Sequence, residues 1–202
     1  MWNASNPLYQ VATRKLLVPW ALQGLRPTGE ALEIGAGTGA VARELLTEFP
    51  DLSLVVTDRD SGMVADAERR LASWPERVRV EQAHAAALPY HDGRFAFVLS
   101  FAMLHHVIHW EEALAEAVRV LRPQGKLVGF DLLHVLSIGR QRKQESSPDL
   151  KGRGHERSEA TLIRIIDPEE FKRELSRLPM IDIRVRPSIG RLTFRFIGTR
   201  VE

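Results

Sequence analysis

The amino-acid sequence predicts an α/β fold in which a mostly parallel sheet, with helices on both faces, ends in an antiparallel hairpin. Between residues 30 and 132, apolar strand-like runs alternate with helix-like segments, which is the signature of a parallel sheet covered on both sides. The run over 95–101 is almost continuously apolar, as expected for a strand buried on both faces. Segments 181–186 and 192–199 alternate in polarity and predict the closing hairpin.

The individual elements follow from the period of the apolar side chains and from the glycines and prolines between them. An N-terminal helix is expected over 7–23 and is closed by Gly24. Parallel strands are predicted over 30–34, 52–57, 77–81, 95–101 and 126–132. Helices are predicted between them over 40–49, 61–73 and 111–121, the last stopped by Pro123 and Gly125. A further helix over 167–178 has Asp167 as its N-cap and Pro168 in its first turn.

Composition places the chain among single-domain globular proteins. Its 202 residues fit one domain, and 44% hydrophobic with 27% charged residues is ordinary. No apolar run approaches the roughly 20 residues that cross a bilayer, so no membrane span is expected. The absence of cysteine excludes disulfides, thiolate metal ligands and cysteine nucleophiles. Because the N-terminus also lacks a secretory pattern, a cytoplasmic location is expected.

The charge balance gives little support to nucleic acid as a partner, because the formal net charge is only +2. Residues 140–202 carry 15 basic and 10 acidic side chains. This basic third of the chain either attracts an anionic substrate or partner or is simply a solvated face.

A glycine cluster carries the strongest functional signal. Gly35, Gly37 and Gly39 lie between a predicted strand and a predicted helix, where glycines let backbone amides approach a ligand closely. Asp58 ends the next strand and is placed to accept hydrogen bonds from ribose hydroxyls. The segment also satisfies the dinucleotide pattern G-x-G-x-x-G/A, so a nicotinamide enzyme stays open. Glu33 argues against that enzyme, because its charge would repel a pyrophosphate and attract an ammonium or sulfonium group.

The chain resembles the class I S-adenosylmethionine-dependent methyltransferases of the small, ubiquinone-biosynthesis-like (methyltransferase type 11) group. Five motifs carry the resemblance in the family order: LEIGAGTG, VVTDRDSGM, AAALPYHDGRFAFVLS, FAMLHHV and EALAEAVRVLRPQGKLVGFDL. The resemblance implies a Rossmann-like, seven-stranded sheet whose last strand is antiparallel. It also implies S-adenosylmethionine as cofactor, S-adenosylhomocysteine as product, and methyl transfer to a small-molecule acceptor.

The same resemblance assigns residues to each part of the cofactor. They are Glu33, Gly35, Ala36 and Gly37 for the methionine part, Asp58 for the ribose, Arg59 and Met63 for the adenine faces, His84 and Ala85 for the adenine edge, and Ser100 and Phe101 near the methyl group. Ordinary core packing is the alternative for Met63.

Two positions depart from the family pattern: His84 and Ala96 stand where relatives usually have aspartate. A neutral imidazole at His84 could accept one hydrogen bond from the adenine amino group, but without charge assistance. We therefore expect weaker cofactor binding than is typical, partly offset by stacking of the Arg59 guanidinium on adenine. In the alternative, His84 faces solvent and backbone amides recognise the adenine.

Histidines just past the fourth predicted strand supply the candidates for a catalytic base. Methyl transfer from a sulfonium depends mainly on alignment, and a base helps where the acceptor must lose a proton. His105 and His106 are the first candidates and His134 is next, with packing or solvent exposure as the structural alternative. No recognised ligand spacing is present, so no metal is expected.

We divide the single domain, residues 1–202, into four parts. They are an N-terminal helical cap (1–28), a cofactor-binding core (30–132), a variable lid or loop (133–166), and a helix with the C-terminal hairpin (167–202). Tyr9, Arg14 and Trp20 on the cap are candidates for substrate contacts, and the polar segment 137–160 is the expected place of acceptor specificity. The alternatives to a methyltransferase are a catalytically silent cofactor-binding module on the same fold and a nicotinamide-dependent oxidoreductase.

Overall fold

A computed structural model of the protein describes residues 16, 18–133, 165–188 and 192–202. Of the N-terminal helix expected over 7–23, residues 16 and 18–23 are described, and they contain the helix Val18–Leu22 (α1). Tyr9, Arg14, His134 and the segment 137–160 lie outside the described residues, as does the turn of the predicted hairpin.

The remaining elements follow the predicted order closely. The strands are β1 Gly29–Ile34, β2 Leu52–Asp58, β3 Val78–Gln82, β4 Phe95–Phe101, β5 Leu121–Leu132, β6 Met180–Pro187 and β7 Thr193–Arg200. The other helices are α2 Ala40–Glu48, α3 Ser61–Leu71, α4 Trp110–Arg119 and α5 Pro168–Ser176, with a 3-10 turn at Leu104–His106. Asp167 caps α5 as predicted, since its carboxylate accepts the N–H groups of Glu169 and Glu170.

The strands form one seven-stranded sheet in the order β3-β2-β1-β4-β5-β7-β6. Strands β1 to β5 pair in parallel, and β7 lies antiparallel between β5 and β6. This arrangement confirms the predicted fold class. The strand order reverses between β1 and β4, and in open α/β sheets a ligand crevice forms at that reversal, outside the carboxyl ends of the strands.

The start of β5 differs from the prediction. Pro123 and Gly125 do not separate a helix from a strand, because β5 already begins at Leu121, which pairs with Phe95. The pairing register then shifts along β4, and Gln124 takes a left-handed backbone conformation (φ 63°). The segment around Gln124 is therefore a bulge within β5 and does not end the strand.

Each face of the sheet has its own apolar core. One core packs α4 and α5 on the sheet through an aromatic group in which Phe171 contacts Trp110 and Phe196 at ring-centroid distances of 5.8 and 4.6 Å. The other packs α1, α2 and α3 on the opposite face around buried Leu45 and Phe130. The two cores hold the carboxyl ends of β1, β2 and β4 in fixed register.

Candidate functional site

The three glycines after β1 all adopt the left-handed backbone conformation, but they face different surroundings. A Cβ at Gly35 would lie 1.8 Å from Cγ of Met103, and a Cβ at Gly39 would lie 3.1 Å from Leu71 on α3. A Cβ at Gly37 would meet no heavy atom within 4 Å. The first and last glycines thus permit close packing, whereas Gly37 borders open space at the predicted ligand side.

Asp58 ties the loop after β1 to the loop after β2. One carboxylate oxygen accepts the N–H of Gly37 at 2.8 Å, and the other accepts the N–H of Asp60 at 3.0 Å. A carboxylate offers about four acceptor positions, so both oxygens can still accept from a ribose hydroxyl. The carboxylate therefore organises the glycine loop and remains able to bind the predicted ligand.

Glu33 is a buried acidic residue of the crevice. Its side chain is 2% exposed, and its Oε2 atom has no hydrogen-bond partner among the described residues. Burial, and then the nearby negative charge of Asp58, raise the pKa of Glu33 to about 8. A buried carboxylate without a partner is costly, and a cationic ligand group would remove that cost.

His84 was expected either at the adenine edge or facing solvent, and its ring is exposed. Nδ1 of the exposed His84 ring accepts the N–H of Ala86 at 3.2 Å. A backbone N–H can only donate, so the proton of the neutral ring is on Nε2. His84 thus offers a donor at Nε2. Its acceptor nitrogen, Nδ1, which was expected to face the adenine amino group, is already used by the N–H of Ala86. Ala85, the next residue, is half-buried.

The two residues predicted for the adenine faces lie at the surface after β2. Arg59 is exposed, and its carbonyl accepts from Nε2 of Gln82 at 2.9 Å. Met63 is 39% exposed, so it is not a core residue. Both side chains are free of the interior and are accessible to a ligand.

At the end of β4, Ser100 and Phe101 point to opposite faces of the sheet. Ser100 is 1% exposed, and its hydroxyl has no partner among the described residues. The Phe101 ring packs in the core against Phe130, with ring centroids 5.7 Å apart. Only the backbone of Phe101 is therefore available to the predicted methyl site.

A buried histidine–aspartate pair joins the loop after β4 to the end of β5. Nδ1 of His105 lies 2.6 Å from Oδ1 of Asp131, and the two residues are 4% and 0% exposed. Asp131 also accepts the N–H groups of Leu104 and Leu132. Sequence reasoning missed Asp131, although it is the one charged residue in the apolar stretch 127–132 of β5, and that was the signal that could have found it.

His106 lies beside this pair, with its ring centroid 4.0 Å from that of His105. Desolvation and the neighbouring His105 lower the pKa of His106, and Asp58 and Arg59 are near enough to act on its charge. The neutral form of His106 is therefore favoured, and its exposed ring lies near Asp58 and Arg59. Within the described part of the chain, no cluster of three or more histidine, aspartate or glutamate side chains could hold a metal ion.

Residues 31–125 match the family described as "Methyltransferase domain". The malonyl-[acyl-carrier protein] O-methyltransferase of Geobacter sulfurreducens is 36% identical over 103 residues, which are 51% of this chain and 38% of that protein. The ubiquinone/menaquinone biosynthesis C-methyltransferase of Dinoroseobacter shibae is 32% identical over 145 residues, which are 70% of this chain and 55% of that protein. The chain thus spans about half the length of the curated relatives that it matches.

Solved structures share the fold at low sequence identity. A SAM-dependent methyltransferase from Aquifex aeolicus has a TM-score of 0.68 and 19% identity, over 97% of this chain and 94% of that one. Phosphoethanolamine N-methyltransferase 2 of Haemonchus contortus, in complex with S-adenosyl-L-methionine, has a TM-score of 0.72 and 15% identity, over 98% of this chain and 53% of that one.

Proposed function

We propose that this chain, whose residues 31–125 match the methyltransferase domain and whose seven-stranded sheet has the class I methyltransferase order, transfers a methyl group from S-adenosylmethionine to a small-molecule acceptor. The observation that carries the proposal is the buried carboxyl group of Glu33, whose Oε2 has no partner among the described residues, beside the open space at Gly37. A crevice built this way suits a ligand that brings a cationic group and accepts hydrogen bonds from the loop amides.

The residues present fit the cofactor in most of its parts. Glu33 would bind the ammonium of the methionine part, the backbone of Gly35, Ala36 and Gly37 would surround it, and Asp58 would accept from the ribose hydroxyls. When bound, the cofactor supplies a methyl group already activated by a positively charged sulfur.

The adenine would lie among groups that are exposed after β2 and β3. Arg59 and Met63 are placed for its faces, and the backbone of Ala85 for its edge. His84 would donate from Nε2, for example to a ring nitrogen, in place of the usual acceptor. The charge-assisted bond to the amino group is missing, which supports the expectation of modest cofactor affinity.

His105 is our candidate for the base, with Asp131 as its positioning residue. The carboxylate holds the Nδ1 proton, so the lone pair is on Nε2. The acceptor's O–H or C–H proton would pass to Nε2, and buried Asp131 would stabilise the resulting imidazolium. The proposal thus favours acceptors whose nucleophile must lose a proton, and the O- and C-methyltransferases among the relatives agree with it.

Ligand binding tests the proposal and separates it from its alternatives. We expect S-adenosylhomocysteine to bind with one-to-one stoichiometry in calorimetry and to raise the melting temperature, and NAD⁺ and NADP⁺ to do neither. A shift with a nicotinamide dinucleotide alone would favour an oxidoreductase. No shift with any of them would favour a silent module.

The base is tested by methyl transfer to a panel of phenols, carboxylic acids and 1,3-dicarbonyl compounds. His105→Gln should lower kcat by about 10²–10⁴-fold, the usual size of general-base effects. Asp131→Asn should lower kcat with little change in KM, because a neutral amide holds the Nδ1 proton of His105 less strongly than a carboxylate does. The control His109→Gln should leave both unchanged. A His105→Gln enzyme with full kcat would direct attention to His106.

A further inference from the structure

A cavity lies near Lys126 of β5, away from the crevice at the carboxyl ends of the parallel strands. It has a volume of about 160 Å³ and is lined by Gln23, Leu25, Lys126, Asp182, Arg184, Ile197 and Thr199. Lys126 is six residues before the carboxyl end of β5, which at the rise of a strand corresponds to roughly 20 Å. The cavity is therefore separate from the cofactor crevice, and we propose that it binds a phosphate group.

The polar atoms around this cavity are mainly donors. Nε2 of Gln23 is buried and has no hydrogen-bond partner among the described residues. Lys126 donates to Oγ1 of Thr199 at 3.0 Å and has further N–H bonds to offer. Arg184 adds an exposed guanidinium, and Asp182 is the only carboxylate in the lining. An oxyanion would satisfy the amide and balance the excess positive charge.

The backbone on both sides of the cavity is strained. Gln23 and Asp182 have φ angles of 55° and 54°, in the left-handed region that residues other than glycine rarely adopt. The register of β6 against β7 also shifts between Ile181 and Arg184, which redirects the side chains of β6. Strain and bulges of this kind concentrate at binding sites, where they aim particular side chains at a ligand.

The size of the cavity limits what it can hold. A water molecule takes about 30 Å³ in the liquid, so the cavity has room for about five waters. A phosphate group fits this space. The ligand is thus inorganic phosphate or the phosphate of an ester whose remainder extends into solvent.

Titration with inorganic phosphate, against chloride at equal ionic strength, tests the site by calorimetry and thermal shift. We expect saturable binding of one phosphate per chain. Lys126→Met and Gln23→Glu, which remove a positive charge and add a negative one, should each weaken binding at least tenfold. The matched control Lys172→Met, at an exposed lysine on α5, should bind as the unaltered protein does.

Two outcomes would overturn the proposal. They are a phosphate response no larger than that of chloride, or equal weakening by Lys126→Met and Lys172→Met. A parallel titration with glycerol phosphate identifies the source: tighter binding than inorganic phosphate indicates an esterified ligand, and weaker binding indicates the free ion. Circular dichroism and melting temperatures check that each variant is folded. If Lys126→Met does not fold, Gln23→Glu, which keeps the shape of the side chain, still tests the site.

Discussion

Two regions of the molecule differ in how their polar groups are hydrogen-bonded. They are the junction between α2 and β2 and the crevice at the carboxyl ends of the strands. At the junction, Arg77 donates to the carbonyls of Leu46, Phe49, Pro50 and Leu52, over distances of 2.8–3.3 Å. In the crevice, a carboxyl oxygen of Glu33 and the hydroxyl of Ser100 are buried and have no partner in the part of the chain that the structure describes.

The difference separates residues that hold the fold from residues that await a ligand. Carbonyls at a helix end must be satisfied, and Arg77, the residue before β3, does so within the chain. An unpaired carboxylate does not stabilise the protein, because its desolvation is not offset by any contact. The two regions should therefore respond oppositely when their charged group is removed.

The largest effect is expected for the glycines at the entrance to the crevice. Gly35→Ala should lower the free energy of unfolding by about 2–5 kcal/mol, since the methyl group overlaps Met103 and the backbone is left-handed. Gly37→Ala should cost only about 1–2 kcal/mol, because it adds strain without a clash. Urea denaturation measures both. Equal losses for the two variants would contradict the assignment of Gly37 to the ligand side.

Removal of the arginine at the junction should affect stability alone. Arg77→Met should lower the free energy of unfolding by about 2–4 kcal/mol, as several carbonyls lose a charged donor. The affinity for S-adenosylhomocysteine of the folded fraction should not change. Arg79→Met, which removes an exposed ion pair two residues further on, within β3, is the control and should cost less than about 1 kcal/mol.

Glu33→Gln should show the reverse pattern. The affinity for S-adenosylhomocysteine should fall by about 10- to 100-fold, the worth of a charged hydrogen bond. The melting temperature of the ligand-free protein at pH 7 should not fall, because Glu33, with its pKa raised to about 8, is then mostly protonated and a neutral amide replaces a neutral carboxyl group. Glu76→Gln, at an exposed position, is the control and should change neither quantity. A destabilised Glu33→Gln protein with full affinity would show that Glu33 is structural.

A smaller effect is expected from pH. Because burial raises the pKa of Glu33 from 4.5 to about 8, the folded ligand-free protein holds a proton that the unfolded chain releases. The stability that this proton contributes is complete below pH 4.5 and is lost as the pH rises to 8, by about 1 kcal/mol per pH unit. Melting curves from pH 5 to 8 should show this decline, and in Glu33→Gln the decline should be absent.

Much of the fold could be predicted because its signals are local. Alternating apolar runs, the glycine cluster and the Asp167–Pro168 helix start are each readable within a few residues. The beginning of β5 could not be read from the local sequence, because it depends on pairing with Phe95 and on Arg200. The Arg200 guanidinium donates to the Arg119 carbonyl at 2.6 Å. These partners are distant in sequence, and Pro123 with Gly125 resembles an ordinary break.

The candidate site shows the same division. The glycines, Glu33 and Asp58 could be named because their chemistry follows from residue type and from their position at strand ends. The pairing of His105 with Asp131, and the use of the His84 nitrogen by Ala86, depend on the exact placement of side chains. The pattern of the sequence does not specify that placement.

Proton release on binding tests the role of Glu33 most directly. Calorimetric titration with S-adenosylhomocysteine at pH 7, in two buffers of different ionisation enthalpy, measures it. The unaltered protein should release close to one proton per ligand, because Glu33 ionises when the ammonium group binds beside it. The Glu33→Gln protein should release none. The absence of binding, or the same proton count in both proteins, would contradict the account.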